Sequence, residues 1–119
     1  MEDRVIFAVD ADGTLIEDGY PNVRLQKWAV QILLSLKSKG HLLILWTCRE
    51  GAERDAVVEE CYRKGLIFDA VNSNLDTVTD RRGCDSRKIA ATFYLDDRSV
   101  PPFPGWLPFR DWAKKKGLL

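Results

Sequence analysis

Polar residues able to do chemistry fall at three separate places: Asp10-Ala11-Asp12-Gly13-Thr14, Thr47, and the pair Asp96-Asp97. Each place directly follows an apolar run, Val5 to Val9, Leu42 to Trp46, and Thr92 to Leu95. Carboxylates and a hydroxyl are the working groups of nucleophilic, acid–base and hard-cation chemistry. Other chemistries are poorly supplied. A single histidine, His41, excludes a zinc site built on two histidines, and any Ser-His-Asp or Cys-His hydrolase would need His41 as its base. Catalysis, if present, runs on carboxylates and lysine. His41 opens an apolar run after Gly40 and reads as structural, while Cys48, beside Thr47 but with no evident base, reads as a packed thiol.

These groups need elements that bring them together. The run Val5 to Val9 is continuously apolar and rich in branched residues, the pattern of a strand buried on both faces and hence of a parallel sheet. After a polar, turn-rich stretch from Asp12 to Asn22, apolar residues recur at helical spacing at Leu25, Trp28, Ala29, Ile32, Leu33 and Leu36, and Gly40 stops the helix. Leu42 to Trp46 predicts a second buried strand, Ala52 to Lys64 a helix, and Ile67 to Val71 a short third strand. Asn72 to Ser86 reads as a polar loop, Arg87 to Ala91 as a short helix, and Thr92 to Leu95 as a fourth strand. The tail from Val100 to Pro108 holds four of the five prolines and suits an extended edge or loop. Leu107 to Phe109 predicts a marginal edge strand, and Asp111 to Lys116 a short closing helix. The aromatic residues Phe103, Trp106, Phe109 and Trp112 are expected to cover the core and the sheet edge.

The predicted fold class is therefore α/β, a three-layer Rossmann-like sandwich with a mostly parallel central sheet, in one domain spanning residues 1–119. Asp10, Thr47 and Asp96 then share the carboxyl edge of the sheet, where open α/β sheets bind ligands. Apolar residues make up 45% and charged residues 30%, with 18 basic and 18 acidic side chains, so no global basic field recruits nucleic acid. No apolar run is long enough to span a bilayer and no leader pattern opens the chain. Three cysteines without CxxC spacing point to a reducing, cytoplasmic setting.

The strand Ile6 to Val9 followed by Asp10-Ala11-Asp12-Gly13-Thr14-Leu15 resembles the first motif of the haloacid dehalogenase superfamily, whose members are mostly magnesium-dependent phosphatases. The resemblance continues through Thr47 as the second motif, Lys88 as the best match to the third-motif lysine, and Asp96-Asp97 as the fourth. All four come in the family order and span Val5 to Asp97. Ala11 departs from the larger apolar residue common at its position, which bears on the shape of the phosphate pocket. The chain looks like the compact, capless members of that superfamily.

What the resemblance implies is phosphate monoester hydrolysis through an aspartyl-phosphate on Asp10. Asp12 would be the general acid and base, on the same side as Asp10 if the strand pleat persists, with its pKa raised by neighbouring carboxylates. Gly13 would give the sharp turn, Thr47 a hydrogen bond to a phosphoryl oxygen, and Lys88 neutralisation of phosphate and Asp10. Two like charges ~4 Å apart repel by about 4 kcal/mol at an effective dielectric of ~20, which calls for a cation. Mg²⁺ held by Asp10, the Asp12 carbonyl and Asp96, with Asp97, is the implied cofactor.

Singly, each feature has a plainer explanation: Asp10 to Gly13 a turn, Asp96-Asp97 a helix cap, Lys88 a surface lysine. Their order separates this chain from a phosphoacceptor receiver, where the paired acids come first and the phosphorylated aspartate later. A silent module binding phosphorylated ligands or a protein partner stays open as the alternative. Ile16 to Val23 is too short for a folded cap and Asn72 to Arg87 offers only a loop, so the site is expected to be open. It would take a phosphorylated small molecule or macromolecule, with a homo-oligomer as one way to wall it.

Overall fold

The two strongest apolar runs lie side by side at the middle of the molecule. The computed structural model describes residues 4–119. Its elements in chain order are β1 (Ile6–Asp10), β2 (Ile16–Asp18), β3 (Arg24–Leu25), α1 (Ala29–Ser38), β4 (Leu42–Trp46), α2 (Gly51–Arg63), β5 (Ala70–Val71), α3 (Asp76–Arg82), β6 (Phe93–Leu95) and α4 (Trp106–Lys115). The main sheet runs β5-β4-β1-β6, and every pairing in it is parallel. Asp10 pairs with Trp46 and Val9 with Leu95, so this register puts Asp10, Thr47 and Asp96 at one rim. The chain moves from β1 to β4 and β5, then returns to the other side of β1 for β6. That reversal beside β1 is the usual place for a ligand crevice in such sheets.

Period-two alternation explains the layers. Phe7, Val9, Leu43, Leu45 and Leu95 face one core with α1 (Ile32, Leu33, Leu36), α2 (Val57, Cys61) and α4 (Trp106, Phe109, Ala113). Ala8 and Ile44 face a smaller core with Leu75, Val78 of α3 and Ile89. The fold is therefore α/β and Rossmann-like, with helices on both faces of a parallel sheet. No helix among the described residues is long and apolar enough to cross a membrane.

Four local expectations are corrected. Asn72 to Ser86 is not all loop: α3 forms within it, a seven-residue helix whose one buried residue, Val78, leaves almost no apolar period to read. Arg87 to Ala91 is not helical, because the buried Asn74 captures the segment, accepting the Ala90 N–H at 2.7 Å and donating to the Asp85 carboxylate at 2.7 Å. Leu107 to Phe109 is helix rather than edge strand. Trp106, Phe109 and Ala113 recur at helical spacing and are buried together, and Pro108 falls in the first turn, where it is tolerated. The helix expected from Leu25 starts only at Ala29, because Leu25 pairs with Ile16 in a β2–β3 hairpin that begins in the turn-rich stretch and runs past it.

His41 is structural, as expected. Its Nδ1 accepts the Val5 N–H at 3.2 Å, so Nε2 carries the proton and donates to the Leu118 carbonyl at 3.0 Å. The aromatic tail covers the core: Trp112 meets Phe93 edge-on and stacks with Phe109, which meets Phe7 edge-on. Trp106 also reaches beyond packing, donating from Nε1 to the Thr14 carbonyl at 2.8 Å in a buried hydrogen bond. Trp106→Phe removes the indole N–H, leaves that carbonyl unpaired and vacates part of the indole's volume. Urea denaturation should show a loss of about 1–3 kcal/mol; a loss below ~0.5 kcal/mol would mean the bond does not fasten α4 to the loop.

Candidate functional site

The site begins where β1 ends. After Asp10 the chain folds back on itself, the Ala11 carbonyl accepting N–H groups from Thr14, Leu15 and Ile16 at 3.2, 2.9 and 3.0 Å. Ala11 is wholly buried in the core, so its small size leaves the cleft wall untouched, contrary to the expectation that it reshapes the pocket. Gly13 has φ 83, and a Cβ there would fall on the Asp97 carboxylate. Glycine is required twice over, by conformation and by space. Thr14, 1% exposed, is the hub of the turn. Its hydroxyl donates to Asp10 Oδ2 at 3.3 Å and accepts the Asp97 N–H at 3.0 Å.

From the neighbouring strand end, β6 delivers Asp96 and Asp97. The Asp96 carbonyl accepts the Phe103 N–H at 3.0 Å and its carboxylate accepts the Arg98 N–H at 2.9 Å. Asp10, Asp96 and Asp97 each place a carboxylate oxygen within 4.8 Å of the others. This crowding, after burial, pushes the Asp10 carboxyl up to about 7, through the charge of Asp96 and a hydrogen bond and charge from Asp97; the Thr14 hydrogen bond opposes it. All donors are oxygens, as a small hard cation requires.

A cleft of about 450 Å³ opens over these acids, with Asp12, Gly13, Cys48 and Arg98 also lining it. Asp12 is at the cleft but outside the acid cluster. Its carboxylate receives both Nε and Nη2 of Arg49, at 2.8 and 2.6 Å. The strand pleat does not continue to Asp12, and the expected rise in its pKa is reversed: the Arg49 hydrogen bonds hold it below the usual carboxylate range, against the opposing effect of burial. Arg49 also meets Glu53 at 3.4 Å, and its guanidinium lies where a side chain at Gly19 of the hairpin would stand.

Thr47 is half-buried at the rim, donating its N–H to Asn72 Oδ1 at 2.8 Å and accepting the Arg49 N–H on its hydroxyl at 3.0 Å. The hydroxyl proton remains available as a donor. Lys88 does not line the cleft over the acids. It is exposed, with Nζ 5.8 Å from the Tyr94 ring centroid, and among the described residues it forms no ion pair with them. Cys48 is exposed at the cleft rather than packed. Sequence reasoning missed two cations, Arg98, which lines the cleft, and Arg49, which pairs with Asp12. The place of Arg49 two residues beyond Thr47, at the rim, was readable; its pairing with Asp12, distant in sequence, was not.

No family model and no curated protein matches the chain. Among solved structures, a conserved protein of Bacteroides thetaiotaomicron is 36% identical, with a TM-score of 0.83 over 96% of this chain and 93% of that one.

The raised Asp10 carboxyl makes a pH prediction for the metal-free protein. A carboxyl held above its unfolded value contributes most stability below the unfolded pKa and loses that contribution as pH rises through about 7. Asp10→Asn removes the titration. In EDTA at about pH 8 the variant should melt about 4 °C above wild type, the shift expected from ~1 kcal/mol in a domain of this size, and the gap should close towards about pH 4. Equal melting temperatures at both pH values would show that the acids are not crowded.

Proposed function

We propose that this chain, which belongs to the same family as the conserved Bacteroides thetaiotaomicron protein, is a Mg²⁺-dependent phosphate monoester hydrolase of the haloacid dehalogenase type. The observation that carries this reading is the cluster of Asp10, Asp96 and Asp97 at the carboxyl edge of β1 and β6, directly beneath the Gly13–Thr14 turn. Such a cluster is costly without a positive charge. Asp10 and Asp96, with Asp97 and the Asp12 carbonyl, are the groups that would hold Mg²⁺. When bound, Mg²⁺ supplies charge neutralisation to the acids and to the phosphoryl oxygens.

The remaining chemistry belongs to the chain itself. An Asp10 oxygen attacks phosphorus in line, the P–O bond to the leaving group breaks, and Asp12 gives that oxygen its proton. Water then attacks the aspartyl-phosphate, Asp12 takes a proton from it, and phosphate leaves with Asp10 regenerated. Thr14 fixes the Asp10 carboxylate through its hydroxyl. Thr47 donates its hydroxyl proton to a phosphoryl oxygen.

Arg49 takes the part first expected of Lys88. A phosphate dianion competes for a bidentate guanidinium, so substrate draws the Arg49 fork from Asp12 to the phosphoryl oxygens. That exchange releases the group holding Asp12 ionised and lets Asp12 carry the proton it must donate. The same Asp12–Arg49 pair favours the second reading, a silent module that keeps the pair closed; turnover separates the two.

Two measurements test the reading. Purified protein with Mg²⁺ should hydrolyse an aryl phosphate, EDTA should stop it, and Asp10→Asn should abolish it; no turnover of any phosphate ester would defeat the hydrolase reading. Arg49→Lys keeps the charge but not the fork, and should lower kcat/KM by about 10²-fold, on the scale of a lost oriented charge contact. Lys88→Ala should change it by less than about threefold; the reverse ranking would return the role to Lys88.

A further inference from the structure

A second cleft of about 450 Å³ adjoins the acidic one, the two meeting at Gly13. Lys27 and Trp28 line it from the segment after the hairpin, Phe103 and Pro104 from the loop before α4, and Gly13 and Thr14 from the turn. Its volume suits a small-molecule subsite.

Trp28 is the unusual wall residue. Its backbone is left-handed, with φ 74, a conformation that a bulky side chain adopts only under constraint. Yet Trp28 is 40% exposed, and α1 buries Ala29, Ile32, Leu33 and Leu36 without it. Packing does not explain a strained tryptophan at a position where glycine would be relaxed. Its placement is firm, because the preceding Gln26 N–H is bonded to the Leu15 carbonyl at 2.8 Å and the Gln26 carbonyl accepts the Ala29 N–H at 3.2 Å. The Lys27 ammonium lies 5.2 Å from the indole centroid, a cation–π distance. The cleft is therefore lined by an indole with the Lys27 ammonium over one of its faces, leaving the other for a ligand, and by a proline-lined wall next to the proposed phosphate site.

We propose that this cleft is the leaving-group subsite and that the substrates are phosphate monoesters of planar aromatic groups, which stack on Trp28. The proposal rests on the hydrolase reading. A planar ring gains from an indole face, whereas a small polyol gains nothing comparable.

The test compares naphthyl phosphate with glycerol phosphate. In Trp28→Gly, which suits the left-handed backbone, the ratio of kcat/KM for the naphthyl over the glycerol ester should fall about tenfold, the scale of one stacked ring, and Trp28→Phe should recover most of it. Melting temperatures confirm that both variants fold. A second arm needs no turnover: calorimetric titration of naphthyl phosphate into Asp10→Asn protein with Mg²⁺, with and without Trp28→Gly, should show the same tenfold weakening. An unchanged ratio and unchanged affinity would overturn the subsite. If wild-type protein turns over neither ester, the hydrolase reading fails, and the titration still decides whether the cleft holds the ring.

Discussion

Three carboxylates crowded at one strand edge are the constraint around which the rest of the site is arranged. At ~4 Å and an effective dielectric of ~20, each pair of full charges repels by about 4 kcal/mol, comparable to a large part of the stability of a small domain. The fold holds them there with neutral groups. Thr14 bonds Asp10 through its hydroxyl and takes the Asp97 amide on the same oxygen, while Trp106 holds the Thr14 carbonyl from α4. The last helix of the chain, far from the acids in sequence, is thus part of the apparatus that keeps two strand ends in place. Gly13 completes it, because its missing side chain is the space the Asp97 carboxylate occupies.

Charge at the site is divided between two regions. The acid cluster carries no arginine or lysine partner among the described residues, and Asp10 responds with a carboxyl raised to about 7. Asp12, two residues on, has its charge held by Arg49. Neighbouring carboxylates are thereby pushed in opposite directions, and both directions in the metal-free protein are the reverse of what a nucleophilic Asp10 and a proton-donating Asp12 require, so a cation at the cluster and release of Arg49 would have to reverse them. The Arg49 side chain is only 17% exposed and lies against Gly19. Movement of Arg49 is therefore coupled sterically to the hairpin, which lies beside the cleft.

The layers and the acids were legible in the sequence because they depend on local pattern. Continuous apolar runs identified β1 and β4, and the polar residue closing each run identified the rim. Legibility failed where structure depends on partners distant in sequence. Asn74 organises Asp85 to Ala90 through side-chain hydrogen bonds, which leave no periodic signature, and α3 is too polar to show one. The tail was misread for a different reason: Pro104 and Pro108 suggested extended chain, although Trp106, Phe109 and Ala113 already had helical spacing. Lys88 follows from order along the chain, whereas the Arg49–Asp12 pair depends on distance in space, which order does not show.

The absence of room for a folded cap alters what the turn after Asp12 must do. In this fold the segment between Leu15 and Ala29 makes only the β2–β3 hairpin, and then delivers Lys27 and Trp28 to the edge of the acidic cleft. A hairpin that small buries little and cannot enclose a ligand, so under the proposed function the surfaces already standing at the rim are the ones placed to discriminate. A tryptophan held in a strained backbone and kept half in solvent is such a surface. Its position follows from the same turn that sets Asp12 and Gly13, because Gln26 is bonded to Leu15 immediately beyond them. The acid-bearing turn and the Trp28 segment are therefore one continuous, hydrogen-bonded piece of chain, so the proposed phosphate site and the proposed aromatic subsite would be held in register by the same unit.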